Sequence, residues 1–283
     1  MKRWIGIGLA ALLLLSACSK APEQTTQREP VEFSDGAVVH NGPDGSVSRV
    51  DISNGENSPA GSNSSADRPM LDEPIAEDIS VDELVSEYAV KQVHYVDKVG
   101  TILNCVFRVP QVNLPSYDAQ EVSEEVLELA KEVVLAAQAA AEEKSGLLDQ
   151  GMDYETWTQD RMLVLRVTVD NLWDCDRYFV YVFDLDTGVR LDTAGIAQRL
   201  GLNADDLAEK LAQAVEREYR VTYEGMEDMD GRFYEMQLSR TIELENLNNA
   251  QIYPSESGTL MVVADIYSLA GADSYVHNFP LEG

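Results

Sequence analysis

Two neighbouring stretches of this chain are rich in apolar residues and have a period of two. Residues 162–169 (MLVLRVTV) and 177–185 (RYFVYVFDL) show this pattern, and the turn-forming triplet at 186–188 (DTG) follows the second stretch. Successive side chains of a strand point to opposite faces, so each stretch predicts a β-strand. The central part of the chain is therefore predicted to form an antiparallel sheet.

Helical spacing appears before and after these strands. Apolar residues recur every three to four positions over residues 119–144, and Ser145-Gly146 ends the pattern. A second helix is predicted over residues 204–220, with Asn203 as its N-cap. Ser80 opens a capping-box pattern that predicts a short helix to about residue 88. Further strands are predicted at residues 90–96, 100–109, 233–238, 250–253 and 260–267. These elements predict an α+β fold of antiparallel sheets with two main helices packed on them.

The N-terminus has the pattern of a bacterial lipoprotein signal peptide. Lys2 and Arg3 precede an apolar run at residues 4–15, which is too short to span a bilayer as a stable helix. The small residues Ser16 and Ala17 then lead to Cys18. We therefore expect residues 1–17 to be removed and Cys18 to carry the lipid that anchors the protein to a membrane surface. The alternative is an ordinary secretory signal that is cut after Ala17.

The residues that follow Cys18 favour a flexible tether. Residues 18–75 are rich in Ser, Asn, Gly and Pro, a composition that buries too little apolar surface to order itself. Within them, residues 36–52 have the pattern of a small hairpin around a Gly-rich turn. The folded domain is expected at residues 76–283, as one unit or as two subdomains at 88–150 and 151–283.

The charge of the chain restricts its partners. Its formal net charge is −29, and removal of Lys2 and Arg3 with the signal peptide makes it −31. Such a surface repels nucleic acid and anionic lipid headgroups, and it favours basic proteins or metal ions. The alternative is that the acidity only keeps an exported protein soluble.

Three cysteines give a simple pairing. If Cys18 carries lipid, Cys105 and Cys175 remain in an oxidising compartment, where a disulfide is the natural outcome. It would close a loop of about 70 residues and stabilise the fold by about 3–4 kcal/mol. The alternative is two buried free thiols. Few histidines and the lack of a CxxC pair argue against a zinc site.

Three local patterns resemble the extracytoplasmic domain of RsiV-type anti-sigma factors, a module also found beside the catalytic domain of PdaC-type peptidoglycan deacetylases. They are CVFRVPQV at residues 105–112, YVFDLDTGVRL at 181–191, and the C-terminal stretch at 250–280, which is similar to the final strand pair of that family. The resemblance covers roughly residues 88–283. It implies a sensing or binding module, because in RsiV-type proteins this domain binds lysozyme, a strongly basic protein.

The resemblance does not extend to the activities of those proteins. The chain shows neither the sigma-binding segment and transmembrane helix of the anti-sigma factors nor the metal-binding motifs of the deacetylase domain. Sigma-factor inhibition and deacetylation are therefore not implied.

No residue pattern points to catalysis. Asp184 begins DLDTG, which lacks the spacing of a calcium loop and favours a hairpin turn. The EDMDG segment at 227–231 favours an exposed turn, with weak calcium binding as the alternative. The three histidines, His40, His94 and His277, are far apart in sequence. Six aromatic residues in or beside the predicted strands favour packing, with a binding face for glycan or protein as the alternative. These aromatic residues are Trp157, Trp173, Tyr178, Tyr181, Tyr253 and Tyr267.

We therefore expect a membrane-anchored, extracytoplasmic, non-catalytic binding or sensing lipoprotein with no cofactor and no metal. Its expected ligand is a basic protein such as lysozyme. The alternatives are a module that binds peptidoglycan or another glycan, and an enzyme of the cell envelope.

Overall fold

Helices and strands are interspersed along the part of the chain that the structure describes. This computed structural model describes residues 39–41, 47–49, 71, 73–96, 100, 102–143, 149–171, 176–226, 231–270 and 274–282. The helices are α1 (Val81–Leu84), α2 (Tyr117–Glu143), α3 (Thr193–Arg199), α4 (Ala204–Thr222), α5 (Gly231–Thr241) and α6 (Leu244–Asn249). The strands are β1 (Val39–Asn41), β2 (Val47–Arg49), β3 (Val85–Val96), β4 (Ile102–Val112), β5 (Asp149–Gln159), β6 (Met162–Asn171), β7 (Arg177–Asp184), β8 (Arg190–Leu191), β9 (Gln251–Pro254), β10 (Leu260–Tyr267) and β11 (Ser274–Pro280). The predicted α+β class is confirmed.

Strands β3 to β8 form a six-stranded sheet in chain order. Neighbours are antiparallel except β4 and β5, which pair in parallel at Val106–Gly151 and Phe107–Met152. Parallel neighbours require a crossover that returns the chain to the same end of the sheet, and α2 lies in that connection. A second, antiparallel sheet has the order β11-β10-β9, and β1 pairs with β2 as a hairpin.

The strands β6 and β7 contribute to two hydrophobic cores. Leu163 and Leu165 belong to a first core, which they share with α2, β3 and β4. Met162 and Val164, which point to the opposite face, belong to a second core, which contains α3, α4, α5 and the sheet β9–β11. Because both faces of these strands are covered, the near-continuous apolar run of β6 is explained by double burial.

The long helix α2 closely matches its prediction. It begins two residues earlier than expected and ends at Glu143. Val122, Val126, Val133 and Ala137 lie fully buried along one side of it in the first core. Its opposite side is exposed, as the amphipathic pattern requires.

The predicted strand at residues 233–238 is wrong, because this segment forms α5. Tyr234, Gln237, Leu238 and Thr241 are buried at spacings of three, four and seven, so the burial period is helical. The hydroxyl of Tyr219 on α4 donates a hydrogen bond to the carbonyl oxygen of Tyr234 at 2.9 Å, and the two rings meet edge to face. The short alternation of this segment was therefore coincidental.

Two predicted boundaries around β3 and β4 are also wrong. Helix α1 ends at Leu84, not near residue 88, and Ser80 occupies its N-cap without a side-chain capping bond. The strand β3 begins at Val85 because this residue already pairs with Val112. The strand β4 continues past Pro110, which lies opposite Glu87 where the register shifts. A proline has no N–H for the ladder, so it is accommodated at this irregularity.

The described fold begins at the end of the predicted tether. The amide of Leu71 donates to the carbonyl of Thr187 at 2.9 Å, and that of Ile75 donates to the carbonyl of Leu185 at 2.9 Å. The guanidinium of Arg161 holds the carbonyl of Ile75 at 2.8 Å. The turn after β7 therefore secures the entry into the domain. Most of residues 18–75, and Cys18 itself, lie outside the described residues.

Cys105 is buried on β4, and burial raises the pKa of its thiol. Cys175 lies outside the described residues, so the Cys105–Cys175 disulfide stays a prediction. The neighbour of Cys105, Val106, pairs with Gly151, which in turn pairs with Asp170 near the end of β6. The last described residue before the segment with Cys175 is thus only two strands away from Cys105.

Candidate functional site

A cleft opens where the six-stranded sheet meets the turn after β9. We call it the aromatic cleft and define it by Glu155, Trp157, Arg166, Tyr253 and Glu256, with Thr156, Ser255 and Met261 completing its lining. Its volume is about 460 Å³, which lies in the range of small-molecule sites. It combines aromatic rings with charges of both signs, as does a second cleft that Glu125, Tyr181 and Arg190 help to line.

The register of β5 and β6 sets the positions of the polar groups. Glu155 pairs with Arg166 and Trp157 pairs with Val164, so these four side chains share one face of the sheet. Val164 and its neighbours on this face are covered by the second core, whereas Arg166 lies further along β6. The site therefore begins where the second core ends.

Hydrogen bonds fix the aromatic side chains in place. The indole Nε1 of Trp157 donates to the carbonyl oxygen of Pro254 at 2.9 Å, and the Trp157 and Tyr253 rings lie 6.0 Å apart. The hydroxyl of Tyr253 donates to Oδ1 of Asn278 at 2.8 Å and accepts from Nη1 of Arg166 at 3.2 Å. These bonds join the two sheets beneath the cleft.

Arg166 is the central cation of the cleft. Its Nη2 forms an ion pair with Glu155, and its guanidinium lies 6.0 Å from the centre of the Trp157 ring. Burial lowers the pKa of Arg166, but the bonds with Tyr253 and Glu155 raise this pKa by more, so the group stays charged. Its buried Nε has no hydrogen-bond partner among the described residues. An unpaired buried donor costs about 1–3 kcal/mol, so the position of this residue calls for an explanation beyond packing.

The aromatic residues singled out in the sequence separate into different environments. Trp157 and Tyr253 meet in the aromatic cleft, whereas Tyr178 lines a different cleft, with its hydroxyl 3.5 Å from Asp176. Tyr181 packs in the first core beneath the guanidinium of Arg190, and burial raises its pKa to about 12. Tyr267 lies under Arg240, and Trp173 is outside the described residues.

The sequence reasoning did not single out Arg166. The sequence nevertheless marks this residue, because it is the one cation in the apolar stretch MLVLRVTV. A charged residue in a strand buried on both faces requires a polar partner. That partner could not be identified without the register of β5, which was not predicted, and without the position of β9.

The DLDTG segment forms a turn, and its carboxylates pair with arginines. Asp184 accepts from Arg199 at 3.2 Å, and Asp186 accepts from Arg161 at 2.8 Å and also pairs with Arg199. These hydrogen bonds lower the pKa of Asp186. Gly188 adopts a φ of +72° and closes the turn onto the carbonyl of Asp184. The arginines occupy the positions that a cation would need, so the turn interpretation is the one that fits.

No group of His, Cys, Asp and Glu among the described residues is arranged to hold a metal ion. His94 contacts Asn104 at 2.7 Å, and His277 contacts Glu218 at 2.9 Å. These two histidines lie on β3 and β11, which belong to different sheets. His40 is on β1, and residues 227–230 of the EDMDG segment are outside the described residues.

The exposed side of α2 is a second candidate surface. We call it the acidic surface and define it by Glu121, Glu124, Glu125, Glu128 and Glu132, which recur at helical spacing. Lys131, the one basic residue of α2, pairs with Glu128 at 2.6 Å, and Arg190 pairs with Glu125 at 3.1 Å. Among the described residues, Glu124 and Glu132 form no ion pair, so the surface keeps a negative potential.

No protein-family model matches the chain, and no curated protein matches it significantly. The resemblance to the RsiV-type domain therefore stays a prediction that rests on the local patterns described above. No helix among the described residues combines the length and the apolarity needed to cross a bilayer.

Proposed function

We propose that this chain is an exported lipoprotein, anchored by a lipid on Cys18, whose α+β domain binds a basic protein and carries out no catalysis. The observation that carries this proposal is the acidic surface of α2. Five glutamates follow one side of a helix whose other side is buried in the first core. The helix is thus held rigidly, and its charge is presented to the outside.

Electrostatic complementarity explains how such a surface would recognise its partner. A rigid row of carboxylates attracts a cationic protein over several ångströms, and it rejects neutral and acidic proteins. The formal charge of −29 for the whole chain acts in the same direction. Lysozyme is the first ligand to test, because it is basic and because the RsiV-type domains that the sequence resembles bind it.

Titration calorimetry of the full-length chain in detergent with lysozyme tests the proposal. We expect binding at micromolar concentration near 0.1 M salt, with affinity falling steeply as salt is raised, because screening weakens charge pairs at the surface. Absence of binding at tens of micromolar would remove lysozyme as the ligand.

A matched pair of variants locates the binding surface. Replacing Glu121, Glu124, Glu128 and Glu132 with Gln removes four charges from the acidic surface and leaves the Glu125–Arg190 pair intact. Replacing Glu209, Glu224, Glu235 and Glu245 with Gln removes the same charge from exposed positions outside α2. We expect about a tenfold or greater loss of affinity for the first variant only. Equal losses would show that net charge, not α2, attracts the protein.

A further inference from the structure

We propose that the aromatic cleft is a binding site for a neutral sugar ring of a glycan chain. The inference goes beyond binding of a basic protein and does not involve the acidic surface of α2. It rests on the charges of the cleft, on the fixed indole of Trp157, and on the donors that Arg166 retains.

The charges of the cleft select against ions of either sign. Glu155 and Glu256 repel an anion at the rim of the cleft. Arg166 repels a cation, and its ion pair with Glu155 leaves that carboxylate less able to bind one. A neutral ligand with several hydroxyl groups avoids both penalties. Each hydroxyl can donate to a carboxylate and accept from a guanidinium, so such a ligand uses the Glu155–Arg166 pair without breaking it.

The indole of Trp157 provides an apolar surface beside these polar groups. One face of a sugar ring presents C–H bonds, which pack against an aromatic ring, while its hydroxyls point outward at the edge. The half-buried indole lines the cleft, and its bond to Pro254 keeps the ring orientation fixed before any ligand arrives. A fixed ring loses little conformational entropy on binding.

The deep part of the cleft supplies hydrogen-bond donors. Arg166 has five N–H groups, and its bonds to Tyr253 and Glu155 use one on Nη1 and one on Nη2, which leaves one further N–H on each of these nitrogens. The side chain is 23% exposed, whereas that of Glu155 is 65% exposed. The carboxylate therefore lies at the entrance and the guanidinium lies deeper, which places acceptor and donor at different depths for different hydroxyls of one ring.

The first test uses the full-length chain in detergent and chitotetraose, a neutral oligomer of N-acetylglucosamine, as the probe. We expect saturable binding in the micromolar to millimolar range by titration calorimetry, with little dependence on salt because the ligand carries no charge. Tetralysine serves as the cationic comparison. Binding of tetralysine without binding of chitotetraose would overturn the sugar assignment in favour of a cationic side chain.

Variants connect the binding to this cleft. We expect Trp157→Ala to weaken chitotetraose binding at least tenfold, because the apolar platform is lost. Glu256→Lys, at the exposed rim, leaves the sheets intact and should weaken binding several-fold even if Trp157→Ala fails to fold. Glu224→Lys makes the same charge change on a different, exposed surface and should bind as the unaltered chain does. Unchanged affinity in both Glu256→Lys and Trp157→Ala would overturn the proposal. So would the absence of binding by the unaltered chain at about 10 mM chitotetraose, where a site with a millimolar Kd would be mostly occupied.

Discussion

Gly188 shows how a single residue joins the turn after β7 to the start of the domain. Its φ is +72°, and a Cβ at this position would lie 2.7 Å from Cγ of Leu71 and 3.0 Å from Cβ of Ser116. Gly201 has a similar φ of +66°, but nothing lies within 4 Å of its would-be Cβ. Comparing substitutions at the two glycines therefore separates the cost of backbone strain from the cost of a packing clash.

We predict that Gly188→Ala destabilises the fold more than Gly201→Ala does. The positive φ costs each variant about 1–2 kcal/mol, and overpacking against Leu71 adds about 1–3 kcal/mol at position 188 only. Urea unfolding measures both losses in the free energy of unfolding. Equal losses would mean that Leu71 moves away without cost and that the entry segment is not firmly docked.

Asp170 contributes unfavourably to stability at neutral pH. Asp170 is exposed near the end of β6, but partial desolvation raises the pKa of its carboxyl, and the nearby carboxylates of Asp176 and Asp153 raise this pKa further. A raised folded-state pKa means that the ionised form is disfavoured in the folded chain relative to the unfolded chain. The penalty is fully present above the folded-state pKa and disappears as pH falls to the unfolded value.

We therefore predict that Asp170→Asn melts at a higher temperature than the unaltered chain at pH 7. The advantage should shrink as pH is lowered through the folded-state pKa, because the carboxyl then becomes neutral without substitution. Thermal melts at several pH values measure this difference. The exposed Asp78→Asn removes the same formal charge and controls for the change in net charge. An advantage that persists at pH 3 would contradict the electrostatic cause.

At the scale of single elements, helix α4 begins with a well-formed cap. Oδ1 of Asn203 accepts from the amides of Asp205 and Asp206 at 2.9 and 3.1 Å. At the start of α6, Glu243 occupies the same position without a side-chain capping bond. The cap explains why the beginning of α4 was predicted correctly from sequence, whereas α6 was not predicted.

We predict that Asn203→Ala lowers the free energy of unfolding by about 1 kcal/mol, because two amides lose their acceptor. Glu243→Ala removes no capping bond and should change stability by less than about 0.5 kcal/mol. Denaturant titrations of the two variants give the comparison. A loss in Glu243→Ala as large as that in Asn203→Ala would indicate that the measured effect does not come from the cap.

The elements that sequence reasoning identified are those whose pattern reflects their own burial. The helices α2 and α4 and the strands β6, β7 and β10 carry long, regular apolar periods, and their boundaries agree within a few residues. The strand β5 was not predicted because DQGMDYETWTQ is mostly polar and shows no apolar period. This segment is a strand because it pairs with β6 along its length. Since Glu155 and Trp157 lie on β5, the same omission hid the aromatic cleft.

The whole molecule has a layered organisation that the sequence indicated only in part. Double burial of β6 and β7 produces a first core with α2 and a second core with the sheet β9–β11. The α+β class follows from the order of the elements, but the contact between β9 and the face of β5 depends on residues about 100 positions apart. Periodicity describes one element at a time, so it cannot predict a site assembled from three strands.

The proposed location of the molecule depends on Cys18, and we predict that Cys18→Ala abolishes lipid attachment. Two or three acyl chains hold a protein on a membrane durably, whereas the bare domain has no comparable affinity because its surface is strongly acidic. In cells fed radiolabelled palmitate, the unaltered chain should carry label and partition into the detergent phase of Triton X-114. The Cys18→Ala variant should carry no label and stay in the aqueous phase.

Cys175→Ala is the matched control, because it also removes one cysteine but leaves the lipobox Leu15-Ser16-Ala17-Cys18 intact. This variant should retain both the label and the detergent partitioning. Label that persists in Cys18→Ala would place the acyl group on another residue and contradict the lipoprotein proposal. Loss of label from both variants would instead indicate that the chain is poorly exported when a cysteine is removed, because acylation takes place only after the signal peptide has engaged the membrane.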